Sequence, residues 1–206
     1  MKNLATMLKP LAMSVALLAI FTAAQSLAHA VPVTFSTAGC FGTGCTPSAT
    51  FITVGSGTAS VNFTSQAPTT VETNTPSGFT VADLGTFTVA GSGTFAATPF
   101  TLVIQQTQPT TGTGTFTATL TGTLITNGSD ARIVFDQTSI FIGDVRYDLA
   151  NLTFGNTLFL DPNATGGITR ITALVSSPVP EPATMILLGT GLAGVAAAAR
   201  KRRKAA

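Results

Sequence analysis

The middle of this 206-residue chain alternates apolar and polar residues. In TFTATLTGTL, residues 115–124, Phe116, Ala118, Leu120, Gly122 and Leu124 share one side of an extended backbone. Thr115, Thr117, Thr119, Thr121 and Thr123 share the other. Successive side chains of a strand point to opposite faces, so the stretch reads as a half-buried strand that bends at Gly122. SVNFT places Val61 and Phe63 inward, GTFTV does so with Phe87 and Val89, and FTLVI with Phe100, Leu102 and Ile104. In VRYDL, Val145, Tyr147 and Leu149 face inward, while Arg146 and Asp148 face water. No stretch of the middle sustains a 3.6-residue period, so no helix is expected there.

Turn residues separate these runs. Asn127-Gly128 lies between GTLIT and ARIVF and reads as a hairpin. Asp161-Pro162-Asn163 and Gly166-Gly167 mark a break before ITRITALV. Many short strands with frequent turns predict an all-β fold, a single β-sandwich or jelly-roll-like domain over residues 31–177. Strand order does not follow from the pattern, because register and partners are non-local. The alternative for so Thr/Gly-rich a segment is a disordered stalk. The regular return of Phe, Val, Ile and Leu argues against it, since a disordered chain lacks such apolar faces. The outward Thr row also raises ice binding, which needs the array repeated on several strands; one such strand is visible.

The two ends follow other rules. Lys2 and Lys9 precede the apolar run LAMSVALLAIF, residues 11–21, and then SLAHA, whose Ala28 and Ala30 fit a small-x-small cleavage pattern. Residues 1–30 are therefore expected to be a secretory signal peptide, cut by signal peptidase after Ala30. Its apolar core falls short of the about 20 residues a spanning helix needs. At residues 178–206 the order is Pro180, Glu181 and Pro182, an apolar run over 183–199, then Arg200, Lys201, Arg202, Arg203 and Lys204. As a helix the run is about 25 Å long, against a hydrocarbon core of about 30 Å. One transmembrane helix is expected over 183–199, with the basic cluster as a cytoplasmic stop and the middle domain outside.

Charge changes meaning once the ends are set aside. The whole chain is +2, but seven of its ten basic residues lie in those ends. Residues 31–177 hold Arg132, Arg146 and Arg170 against Glu72, Asp83, Asp130, Asp136, Asp144, Asp148 and Asp161, a net of −4. Nucleic-acid binding, which leans on Lys and Arg against phosphate, has no support in such a domain.

Candidate chemistry is sparse. Cys40 and Cys45 enclose FGTG just after the first predicted strand. Export favours a structural disulfide closing over Gly42 and Gly44, with free thiols or intermolecular pairing as alternatives. A metal site needs more ligands than this pair, and the middle contains no His and no further Cys. Without His or Lys, a Ser nucleophile lacks its usual base. Carboxylates remain, and two suffice for a glycosidase, but no motif pairs them. Asp130, Asp136, Asp144, Asp148 and Asp161 lie near predicted strand ends, where calcium binding or plain solvation are the two readings. Aromatic sugar platforms are not apparent: Trp is absent, and the single Tyr alternates with core residues.

VPEPATMILLGTGLAGVAAAARKRRK resembles the PEP-CTERM sorting signal of exopolysaccharide-producing Gram-negative bacteria. Pro180-Glu181-Pro182, the apolar run and Arg200 to Lys204 supply its three parts in order. The resemblance covers about the last 27 residues. It implies recognition by exosortase, a membrane-embedded cysteine transpeptidase, with processing near the motif. It also implies only transient residence in the inner membrane, then transfer to the cell surface or extracellular matrix. The middle has a general, compositional likeness to β-domains carried by such proteins, which transfers no activity and no binding residue. The expected function is thus a non-enzymatic surface or matrix protein of the exopolysaccharide envelope or biofilm, needing no cofactor. The alternatives are a carbohydrate- or calcium-binding adhesin module and a carboxylate-dependent glycosidase.

Overall fold

Alternation becomes architecture when each strand finds a partner for its apolar face. A computed structural model describes residues 31–49, 51–73, 78–125, 129–160, 166–177, 189–192 and 194. Its strands are β1 (Pro32–Phe41), β2 (Phe51–Ser56), β3 (Ala59–Ser65), β4 (Thr69–Glu72), β5 (Thr80–Ala90) and β6 (Gly93–Gln108), then β7 (Gly112–Leu124), β8 (Arg132–Phe135), β9 (Ser139–Ile142), β10 (Val145–Ala150), β11 (Thr157–Phe159) and β12 (Ile168–Ser176). They form two six-stranded sheets, ordered β11-β8-β7-β6-β1-β4 and β2-β3-β5-β12-β10-β9. Every pairing is antiparallel. The fold is the expected all-β type, with two sheets sharing one core.

All strands lie in the unit Ala30–Pro178. The described residues beyond it, 189–192 and 194, are helical. Among the described residues no helix is long and apolar enough to cross a membrane. The rest of the span expected over 183–199 lies outside the described residues, as does all of the leader.

The inward positions meet as the alternation requires. Val61, Phe63, Phe87, Val89, Phe100, Leu102, Ile104, Phe116, Leu120, Val145 and Tyr147 are all buried. Phe63 and Phe87 of one sheet meet Phe100 of the other with ring centroids 5.2 Å apart, and Phe41 lies 5.0 Å from Phe100. Tilted and edge-on contacts of this kind each add about 0.5–1.5 kcal/mol beyond burial. Space for Phe63 is made by glycine. A Cβ on Gly39 would sit 2.6 Å from its ring, and one on Gly85 2.5 Å from it. Gly85 also has φ +143, which an L side chain rarely adopts.

Gly85 marks a β-bulge. Gly85 pairs with Ile171 and Asp83 with Thr172, so Leu84 is the extra residue. Its carbonyl accepts instead from the buried Thr37 hydroxyl at 2.8 Å, across to the other sheet. Thr37 Oγ1 in turn accepts from the Gln66 amide. A second polar link crosses the core where Tyr147 donates to Gln106 Oε1 at 2.8 Å. Gln106 Nε2 then donates to the carbonyls of Thr110, at 2.9 Å, and Ile142, at 3.3 Å. Among the described residues no buried side-chain nitrogen or oxygen is left unsatisfied.

Two local expectations are refined. The bend foreseen at Gly122 coincides with a break in the β6–β7 register between Phe95 and Thr98. The hairpin around Asn127-Gly128 is the β7–β8 pair, with Leu120 opposite Ile133; its tip, 126–128, lies outside the described residues.

Candidate functional site

One end of the sandwich gathers the turns and both ends of the strand sequence. The Gln106 amide ties the β6–β7 turn to the end of β9. Thr34, near the start of β1, lies opposite Gln108 at the end of β6. β12 finishes here with Ser176 opposite Arg146, and Arg146 is in turn opposite Phe141 on the edge strand β9. Strand order thus sets Phe141, Arg146 and Ser176 in one row across the outer face. The next row holds Ser139, Asp148, Leu174 and Val81.

A cleft of about 460 Å³ opens at this end, lined by Phe141, Gly143, Asp144, Arg146, Ser176 and Ser177. Phe141 is 64% exposed and Val81 58%. The Arg146 guanidinium lies 5.8 Å from the centre of the Phe141 ring. It pairs with Asp148 at 2.8 Å and donates from Nε to Ser139 Oγ at 3.1 Å. Asp144, on the β9–β10 turn, is exposed and forms no ion pair among the described residues. The cleft therefore combines an aromatic ring, a fixed guanidinium, a solvated carboxylate and two serines.

Most of the described phenylalanines fill the core, but a few face outward. Phe141, Phe154 and Phe159 are exposed. A signal for Phe141 was present: Ile140 and Ile142 are the inward pair of SIFI, and alternation then turns Phe141 out. Gln106 was also readable, since it continues the inward series Phe100, Leu102, Ile104.

Cys40 and Cys45 are joined by a disulfide, with Cα atoms 5.9 Å apart. Cys40 lies within β1, not after it, because β1 runs on to Phe41. The intervening Gly42 and Gly44 have φ of +99 and +68.

Among the described residues the acids do not converge, and Asp161 lies outside those residues. Asp83 pairs with Arg170, Asp148 with Arg146 and Asp130 with Arg132, all at partly or fully exposed positions. Only Asp144 among them lines the cleft. Among the described residues no group of three His, Cys, Asp or Glu could hold a metal ion. The outward row Thr115–Thr123 lies on β7, but its neighbours on β6 include Val103 opposite Thr115 and Pro99 opposite Thr119, so the hydroxyl array does not repeat unbroken from strand to strand. Ala28, Ala30, Pro180, Glu181, Pro182 and Arg200, Lys201, Arg202, Arg203 and Lys204 lie outside the described residues.

Sequence comparison settles the segment that follows β12. Residues 178–203 match the family model of the PEP-CTERM protein-sorting motif. The chain carries a PEP-CTERM sorting signal. No curated protein and no solved structure gives a significant match. The PEP-CTERM match includes Pro180, Glu181 and Pro182 and four of the five basic residues, Arg200 to Arg203. It implies an exported surface protein processed by exosortase. It begins one residue after Ser177, the last residue lining the cleft.

Proposed function

We propose that this is a non-enzymatic protein of the cell surface or extracellular matrix, delivered by exosortase into the exopolysaccharide envelope or biofilm of a Gram-negative bacterium. The observation that carries the reading is the PEP-CTERM match at 178–203, joined directly to an acidic β-domain. The absence of His and Lys between residues 31 and 177 supports a non-catalytic role, since the common bases are missing. The dispersal of the described carboxylates, three of them in separate ion pairs, supports it too, because a glycosidase needs two acids facing one bond.

In this reading a signal peptide ends at Ala30, and the apolar run 183–199 holds the chain in the inner membrane only until processing. Mass spectrometry of protein recovered from the cell surface is expected to find a chain that starts at Val31 and lacks Arg200 to Ala206. Mature surface protein that retains RKRRK would sink the sorting reading. The matrix role is tested separately: deleting the gene should weaken retention of exopolysaccharide at the cell surface. A carbohydrate- or calcium-binding module is distinguished by thermal shift against a glycan panel and calcium. The matrix reading expects no shift with any of them.

A further inference from the structure

We propose that the cleft between the β9–β10 turn and the end of β12 is a docking surface for exosortase, so that the enzyme grips the folded domain as well as the sorting segment. The inference rests on the sorting reading above and starts from chain length. β12 ends at Ser176, and only Ser177, Pro178 and Val179 separate it from Pro180. Fully extended, that tether spans at most about 14 Å. A folded domain of this size has a radius of gyration of about 15 Å. An enzyme working at the Pro-Glu-Pro therefore cannot stand clear of the sandwich, and the first surface it meets is the one around Ser176 and Ser177. Proline at positions 178 and 180 fixes φ there and removes two amide donors, which limits how the tether can turn aside.

The surface at that point has the composition of a contact site. Phe141 offers an exposed ring on the edge strand, with Val81 in the neighbouring row. Arg146 is held in place by Asp148 and Ser139, so it presents a charge without a large ordering cost. Asp144 adds a carboxylate on the turn with no ion pair among the described residues. An aromatic and an arginine beside a concave, partly apolar floor are the groups that dominate protein contacts. The occupant is constrained by tether length, which applies to the processing enzyme and to no soluble ligand.

The test uses the full chain co-expressed with exosortase and follows loss of the 178–206 segment by pulse-chase. Phe141→Asp is expected to slow processing at least about fivefold, as for loss of an interface anchor. Asp144→Arg, on an exposed turn, is a second variant for the case in which the first fails to fold; protease resistance of each chain checks folding. Each substitution is repeated with a long Gly/Ser linker inserted between Ser177 and Pro178. The linker frees the enzyme from the domain, so substituted and unsubstituted linker chains should be processed at one rate. Equal rates for folded Phe141→Asp and the unsubstituted chain, without the linker, overturn the proposal. So does normal processing combined with lost glycan retention, which assigns the cleft to a saccharide. An unsubstituted chain that is never processed overturns the sorting reading and the docking proposal together, and is recognised by its own lack of cleavage.

Discussion

Tyr147 is the only tyrosine of a chain without tryptophan, and it is buried where the two sheets exchange a hydrogen bond. Removing its hydroxyl strands the Gln106 carbonyl in the core, so Tyr147→Phe should cost about 1–3 kcal/mol in urea denaturation. Burial holds the phenol proton, raising its pKa well above the usual value. The folded state therefore binds this proton more tightly than the unfolded one. The corresponding stability is complete below about pH 10 and is lost as pH climbs beyond it. Thermal midpoints should fall steeply above that pH in the parent chain and less steeply in Tyr147→Phe. The tyrosinate absorbance band reports the same event from one residue. Gly85→Ala is expected to be as damaging, by about 2–3 kcal/mol, through its φ and its approach to Phe63. The inward position of Tyr147 was readable from alternation with Val145 and Leu149. The need for glycine at 85 was not, because Phe63 lies 22 residues away in sequence.

Strands were easier to read than their neighbours. The faces of β3, β5, β6, β7 and β10 follow from period-two patterning alone, since burial of one face is a local property of the sequence. Sheet order is not local. Nothing in ITRITALV announces that β12 lies between β5 and β10, and the cleft depends on it: Phe141, Arg146 and Ser176 become a row only through the order β9-β10-β12. The Cys40–Cys45 link was legible as a pair, though its position inside β1 was not. Closing so small a loop is worth about 2 kcal/mol in the chain-entropy account. Reduction with dithiothreitol, or Cys40→Ser with Cys45→Ser, should lower the unfolding free energy measured in urea by about 2 kcal/mol. The exposed pair Asp83–Arg170 is a contrasting case: Arg170→Ala should change stability by less than about 1 kcal/mol.

At the scale of the whole molecule, sequence reads destination better than occupation. The sorting segment is a short, ordered set of chemical types, so it can be recognised without a fold. The contact surface of the β-domain is assembled from four strands and a turn, so it cannot. Attachment also has a mechanical side. The sorting segment continues from β12, a central strand with eight paired positions to β5 and five to β10. Ladder hydrogen bonds of an antiparallel sheet run perpendicular to the strands. Tension between the anchored end and anything gripping the body of the domain runs along β12 and loads both ladders in shear, so their bonds must fail together. Had the chain left from the edge strand β9, the same pull would have peeled bonds one at a time. A chain leaving from a central strand thus resists drag better than one leaving from an edge.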